Sequence, residues 1–166
     1  MVQLVDGDIK TREVLGWKGV HVLHFMGSSC SQKLRVFLNL KNIPWQSHPI
    51  DLMGNENFQP WFLGINPRGL VPVLVHDGAV HIESNDIIQY LEQKFPSPRL
   101  IPAGHENEVA TLLKHEDDLH LDLRTLSAGL NDRPRERHGN RWGHARQLIG
   151  HFAIHNVKLI PNLAWL

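Results

Sequence analysis

Short apolar stretches alternate with amphipathic stretches over residues 19–95, and this order constrains the fold more than any other feature of the chain. A β-forming run at 19–26 precedes a helical pattern at 30–41, and a second strand at 45–52 precedes a short helix at 55–64. Strands that alternate with helices build a sheet covered by helices, so we expect an α/β domain.

A β-hairpin is the next predicted feature. The dipeptide Asp77-Gly78 separates apolar runs at 73–75 and 80–82, and such a dipeptide is a strong signal for a two-residue hairpin turn. We therefore expect the third and fourth strands to pair antiparallel.

Two further signals complete the element order. Pro72 cannot donate to a sheet ladder, so it belongs at the start of its strand or on an edge strand, and the Val71–Pro72 bond is a candidate for the cis form. Ser84 or Asn85 can cap a helix over residues 84–95, whose apolar side chains share one face. The predicted order is β-α-β-α-β-β-α.

The flanking segments suggest the domain organisation. Residues 1–18 are a polar lead-in, and three prolines within 96–102 interrupt regular structure and indicate a linker. A long helical pattern follows at 104–130, and residues 131–166 hold six Lys and Arg against two acidic residues. We therefore divide the chain into a first domain at 19–95, a linker at 96–103 and a helical domain at 104–166.

Composition excludes several classes of protein. A hydrophobic content of 42% with 20% charged residues predicts a buried core, and a formal net charge of +0 gives no reason to expect nucleic acid or an anionic membrane as partner. No apolar run has the length of a membrane span or of a leader peptide, so we expect a soluble cytoplasmic protein.

Metal and disulfide chemistry is also not expected. One cysteine excludes an internal disulfide and zinc sites built from cysteines. His115 and His120 are five residues apart and do not share a helix face, while His151 and His155 have no acidic residue nearby. We predict no metal site.

The stretch from Gly27 to Arg35 carries the most distinctive chemistry. It places Ser28, Ser29 and Cys30 at the predicted start of the first helix, where the helix dipole favours negative charge. Such a position is suited to holding a thiolate, and the two hydroxyls could donate hydrogen bonds to the sulfur of a ligand.

Three motifs occur in a fixed order along the chain: Ser28-Ser29-Cys30-Ser31, Asn66-Pro67-Arg68-Gly69-Leu70-Val71-Pro72 and Glu83-Ser84. Together they resemble the glutathione transferase family over about residues 19–130. The form Ser-Ser-Cys-Ser-x-x-x-Arg is similar to the zeta class, which includes maleylacetoacetate isomerases, and to bacterial glutathione-dependent reductive dehalogenases.

The resemblance implies a fold and an assembly. It implies a thioredoxin-like domain with a mixed four-stranded sheet, followed by an all-α C-terminal domain, and a homodimer. Only the first helix of that second domain is recognisable after residue 104, so we expect the C-terminal domain to be partial.

The same resemblance implies roles for individual residues in binding glutathione. Ser28, with Ser29 beside it, hydrogen-bonds the glutathione sulfur, and the backbone of Val71, before Pro72, pairs with the cysteinyl part. The remaining implied contacts are the γ-glutamyl end with Glu83 and Ser84 and the glycyl end with Asn57. An anionic tripeptide needs such backbone pairing, helix N-termini and polar anchors.

Three functions remain open at this point. The first is an enzyme that conjugates glutathione to a small electrophile, with Ser28 stabilising the thiolate. The second is a glutathione-dependent isomerase, or a reductive dehalogenase in which Cys30 resolves a mixed disulfide; otherwise Cys30 only shapes the pocket. The third is a non-catalytic module that binds glutathione or a protein partner.

Overall fold

The computed structural model describes the backbone of residues 2–131 and the side chains of residues 3–119. The predictions made for residues 132–166, including those for His151 and His155, lie outside the described residues. One compact unit ends at Asp117, and α4 continues from it into a second unit that begins at Asp118. Within the described residues, no helix is both long and apolar enough to cross a bilayer.

A mixed five-stranded sheet organises the first unit. Its strand order is β1-β5-β4-β2-β3, with β2 parallel to β3 and antiparallel to β4, and β5 antiparallel to both β4 and β1. The predicted thioredoxin-like sheet of four strands is confirmed, and a two-residue strand extends its β5 edge. The strands are β1 Val2–Gln3, β2 Val20–His24, β3 Trp45–Pro49, β4 Val73–His76 and β5 Ala79–Ile82.

In the part of the chain that the structure describes, four α-helices accompany the sheet. The stretch predicted as one helix at 55–64 forms two pieces, a 3₁₀ helix at Glu56–Phe58 and then α2, because Pro60 favours the first position of a new helix. A further 3₁₀ helix lies in the N-terminal segment at Arg12–Gly16. The α-helices are α1 Ser29–Leu40, α2 Pro60–Leu63, α3 Ser84–Lys94 and α4 Glu106–Asn131.

Apolar side chains cover both faces of the sheet. On one face, α1 and α3 bury residues such as Leu34 and Leu91 against Val22 and Leu74. The other face is covered from two directions, by Phe62 of α2 with Ile65 just after it, and by the N-terminal segment. Because strands alternate their side chains between faces, β2 and β4 contribute apolar residues to the clusters on both faces. The strand β5 contributes apolar residues to one face and a buried polar residue, His81, to the other.

The hairpin between β4 and β5 has the geometry that its sequence predicts. Asp77 and Gly78 have φ angles of 50° and 85°, which a type I′ turn requires at both central positions. The Asp77 carboxylate also accepts a hydrogen bond from the backbone N–H of Gly19 at 2.9 Å, and this bond ties the turn to the start of β2.

Candidate functional site

Three sequence motifs lie at one end of the sheet. In the antiparallel ladder Leu23, near the end of β2, is opposite Val73, the first residue of β4. The loop that leads into α1 and the loop that leads into β4 therefore lie at the same end of the sheet. The C-terminal end of β5, from which α3 begins, lies at this end too, because β5 runs antiparallel to β4. The register thus brings together segments that are far apart in the sequence.

The first motif folds into a hydrogen-bonded loop around Ser28. Ser28 has extended backbone angles and caps α1, since its Oγ accepts the backbone N–H of Ser31 at 3.2 Å. Its own N–H donates to the carbonyl of Phe25 at 3.1 Å, and its carbonyl accepts from Gln32 at 2.9 Å. Ser31 is fully buried, and its hydroxyl accepts from the Phe25 N–H at 3.4 Å.

Capping does not exhaust the hydrogen-bonding capacity of Ser28. A serine hydroxyl has one donor and two acceptor positions, and the cap uses only an acceptor. The O–H of the half-buried Ser28 can therefore be directed at a ligand while the cap stays in place. Ser29 is exposed and Cys30 is half-buried, both in the first turn of α1.

The second motif is a loop shaped from beneath by two buried asparagines. The side chain of Asn66 accepts from the Arg68 N–H at 3.1 Å and donates to the Leu70 carbonyl at 2.9 Å. Asn57 donates to the carbonyl of Gly69 at 2.7 Å, while its Oδ1 has no hydrogen-bond partner among the described residues. Asn57 thus lies under this loop, and its predicted contact with the glycyl end of a ligand stays a prediction.

The loop ends at the Val71–Pro72 bond, which is cis. Val71 is half-buried, and its side chain packs against the apolar cluster that includes Val73. Within the described part of the chain, neither the N–H nor the carbonyl of Val71 takes part in a hydrogen bond. These backbone groups are therefore available to an extended peptide that lies alongside Val71.

The third motif begins α3 with an unusual backbone. Glu83 has φ 67° and ψ 109°, a conformation that non-glycine residues rarely adopt and that costs about 1–3 kcal/mol. Its carboxylate forms an ion pair with the guanidinium of Arg68, and this pair joins the second motif to the third. Ser84 follows as the buried first residue of the helix.

A polar junction not anticipated from the sequence links α1, the start of α3 and the body of α4. The ammonium of Lys33 in α1 donates to Asn85 Oδ1 at 2.6 Å and to Glu116 Oε2 at 2.5 Å. Asn85 in turn donates to the Leu113 carbonyl of α4 at 3.0 Å. Arg68 was likewise missed, although its place in the second motif marked it for attention. Among the described residues, no group of three or more potential metal ligands occurs.

Comparison with known proteins agrees with this geometry. Residues 27–94 match the family model described as "Glutathione S-transferase, N-terminal domain". A maleylacetoacetate isomerase of Pseudomonas aeruginosa is 34% identical over 82% of this chain and 65% of its own length. A zeta class glutathione S-transferase of Euphorbia esula is 43% identical over 48% of this chain and 35% of its own length.

A solved structure of human glutathione transferase theta-2 in complex with glutathione has the same fold. It superposes with a TM-score of 0.57 at 24% identity, over 60% of this chain and 42% of that one. The chain thus spans between 35% and 65% of the length of the two curated relatives named above. The resemblance inferred from the three motifs is confirmed, because residues 27–94 match the glutathione S-transferase N-terminal domain and the curated relatives named above are a maleylacetoacetate isomerase and a zeta class glutathione S-transferase.

Proposed function

We propose that this chain binds glutathione where the three motifs meet and activates the thiol of glutathione beside Ser28. The observation that carries the proposal is the cap of α1, in which Ser28 accepts a hydrogen bond and keeps its own donor. Free thiols titrate near pH 8.5, and lowering that pKa by about two units requires about 2.7 kcal/mol of preference for the thiolate. A helix N-terminus together with a hydroxyl donor acts in this direction.

The other predicted residues provide contacts for the rest of the tripeptide. The unpaired backbone groups of Val71 suit pairing with the cysteinyl residue as an added strand. The carboxylate of Glu83 suits the γ-glutamyl ammonium, and the N–H groups at the start of α3, near Ser84, suit its carboxylate. Ser29 extends the polar rim on the exposed side of α1, and Asn57 supports the Gly69 carbonyl from beneath.

Cis–trans isomerisation of a small unsaturated acid is the reaction that we favour. The thiolate of glutathione adds to one carbon of a cis double bond, the remaining carbon–carbon single bond rotates, and loss of the thiolate restores the double bond as trans. Glutathione is regenerated, so no proton or electron is consumed overall. This choice is supported by the relative named maleylacetoacetate isomerase, which aligns with 82% of this chain.

Conjugation to a small electrophile is the second candidate. It begins with the same thiolate but ends with a stable carbon–sulfur bond, so glutathione is consumed. Support comes from the 43% identical relative named as a zeta class glutathione S-transferase. The loss of thiol over time separates the two reactions, because isomerisation leaves its concentration unchanged. A homodimer, which the resemblance implies, and the cytoplasmic location expected from the sequence belong to the same proposal.

Two variants of Ser28 test the proposal. Asp is as good a helix cap as Ser, but its carboxylate cannot donate, so Ser28→Asp keeps the cap and removes the donor. We expect Ser28→Ala to raise the thiol pKa of bound glutathione by about two units, and Ser28→Asp to raise it at least as much, because its carboxylate also repels the thiolate. The absorbance of the thiolate measures both shifts. Ser97→Ala, in the exposed linker, is the control. Capture on glutathione resin without turnover, unaffected by either variant, would favour a non-catalytic binding module.

A further inference from the structure

The guanidinium of Arg35 lies against the loop that carries Ser28. Its Nη1 donates to the Phe25 carbonyl at 3.3 Å, and its Nη2 donates to the Met26 carbonyl at 3.4 Å. Nη1 also donates to Nδ1 of His24 at 3.1 Å. Arg35 therefore engages, in order, the last residue of β2 and the next two residues of the chain.

One of these acceptors is shared with Ser28 itself. The Phe25 carbonyl receives the guanidinium of Arg35 and also the backbone N–H of Ser28, at 3.1 Å. The orientation of that carbonyl thus depends on Arg35 and determines where the residue that caps α1 is held. Arg35 reaches back to the loop from the second turn of the helix that the loop introduces.

His24, the partner of Arg35 in β2, has a defined tautomer. A guanidinium only donates, so Nδ1 of His24 is an acceptor and the ring proton lies on Nε2, which donates to Ser47 Oγ at 2.8 Å. Burial first, and the positive charge of Arg35 second, hold the pKa of His24 below its ordinary value. His24 is accordingly a neutral, oriented acceptor at the end of β2.

The charge of Arg35 has no carboxylate to balance it among the described residues. Its side chain is half-buried, and each of its hydrogen bonds goes to a neutral acceptor. An unbalanced positive charge beside the start of α1 adds to the helix dipole in favouring an anion there.

We propose that Arg35 is a positioning residue for Ser28, which holds the Phe25–Met26 carbonyls and supplies positive charge beside the thiolate. This inference rests on the proposed function for its chemical consequence, but not for its structural one. Lysine cannot replace arginine fully, because one ammonium on a flexible stem lacks the planar fork that reaches three acceptors at once.

Amide hydrogen exchange tests the structural part without any ligand. In Arg35→Gln we expect the N–H groups of Ser28 and Ser31 to exchange about tenfold faster, as the loss of one hydrogen bond to a charged group allows. The amide of Val22, inside β2, should not change. Arg12→Gln is the matched control, since Arg12 likewise donates to a backbone carbonyl, that of Asp6, at 2.8 Å, but to no part of this loop. Unchanged exchange, or an equal rise at Val22, would overturn the positioning role.

Titration of bound glutathione tests the chemical part. We expect Arg35→Gln to raise the thiol pKa by about one unit and to lower kcat while KM for glutathione stays within about twofold. Arg35→Lys should restore most of the pKa, because the charge remains, but little of the slow exchange at Ser31. An unaltered thiol pKa in Arg35→Gln would overturn the electrostatic part. If the wild-type chain holds no glutathione, the proposed function and the electrostatic part fail together, and the exchange result still decides the positioning role.

Discussion

At the scale of single residues, His81 is a buried polar side chain whose ring nitrogens lack hydrogen-bond partners among the described residues. It lies in β5 with 1% of its surface exposed. Its ring stacks on Tyr90, with centroids 4.0 Å apart. Burial, reinforced by the nearby His76, lowers the pKa of His81 to about 4. His81 is therefore neutral in the folded protein at neutral pH.

This environment predicts a loss of stability on mild acidification. The unfolded chain takes up a proton at His81 as the pH falls through about 6.5, whereas the folded chain does so only near pH 4. The contribution is constant above pH 6.5 and falls by about 2 kcal/mol at pH 5, since each unit corresponds to about 1.4 kcal/mol. Urea unfolding at pH 7 and pH 5 measures it.

Leucine at this position should remove the effect. We expect the free energy of unfolding of His81→Leu to differ between pH 7 and pH 5 by about 2 kcal/mol less than that of the wild-type chain. His105→Gln is the control, because the side chain of His105 is 60% exposed. An undiminished pH dependence in His81→Leu would show that another group is responsible.

Cys30 gives a second prediction at this scale, because the proposed nucleophile is the sulfur of glutathione. Cys30→Ser should therefore keep the thiolate of bound glutathione and the isomerase or conjugation rate within about threefold. A reductive dehalogenase would instead need Cys30 to resolve a mixed disulfide and would lose that activity. Rates with a cis-unsaturated acid and with a halogenated substrate, measured on the same preparation, distinguish these outcomes. Loss of isomerisation in Cys30→Ser would contradict the proposed role of glutathione.

Residues of the site were predictable where their chemistry follows from local position. Ser28 at a helix start and Glu83-Ser84 at another could be inferred from neighbouring residues alone. Lys33 could not, because its acceptors Asn85 and Glu116 lie 52 and 83 positions away. Such a contact has no local periodicity or spacing and exists only once the sheet has brought α1, α3 and α4 together.

At the scale of elements, the N-terminal segment departs furthest from expectation. Residues 1–18 lack a periodic pattern, yet Val2–Gln3 pairs with β5 and two apolar side chains enter the core, Ile9 at 2% exposure and Val14 at 0%. Isolated apolar residues in a polar segment are a weak signal for sequence analysis, since one side chain shows no period. The longer helices were predictable because α1 and α3 repeat their apolar face over three turns.

The buried position of Ile9 predicts that this segment stabilises the domain. We expect Ile9→Ala to lower the free energy of unfolding by about 2–4 kcal/mol, through lost burial and the cavity left behind. Val5→Ala is the matched control, because Val5 is 69% exposed, and it should change stability by less than about 0.5 kcal/mol. Urea unfolding of the two variants makes the comparison. Equal effects would mean that the segment does not pack on the sheet in solution.

At the scale of the whole molecule, a buried ion pair joins the linker to the sheet-bearing part of the first unit. The ammonium of Lys41, fully buried, lies 2.6 Å from Glu92 and donates to the Pro98 carbonyl at 2.8 Å. The other Glu92 oxygen accepts the N–H groups of Leu100 and Ile101 at 2.8 and 3.0 Å. The prolines predicted irregular structure here, but not that two charged residues, one directly after α1 and one in α3, would satisfy its backbone.

Breaking this pair from one side should be far more costly than removing both charges. Burial alone would raise the pKa of Glu92, but hydrogen bonds from the Ile101 N–H, from Lys41 and from the Leu100 N–H hold it below its ordinary value, so the carboxylate is charged. Lys41→Met leaves that charge without its cation, and we expect a loss of about 3–5 kcal/mol. The double variant Lys41→Met/Glu92→Gln, whose amide oxygen still accepts from the linker, should recover at least half of it.

Urea unfolding of the two single variants and the double variant gives the coupling between the residues. Lys33→Met is the control for removing a lysine from α1, because the Lys33 side chain is 23% exposed and Glu116 is 40% exposed, so water can replace their contact. We expect it to cost less than about 1 kcal/mol. Additive effects of Lys41→Met and Glu92→Gln would contradict the direct pairing. A strong coupling would instead show that Lys41 and Glu92 act as a pair in holding the linker after α3.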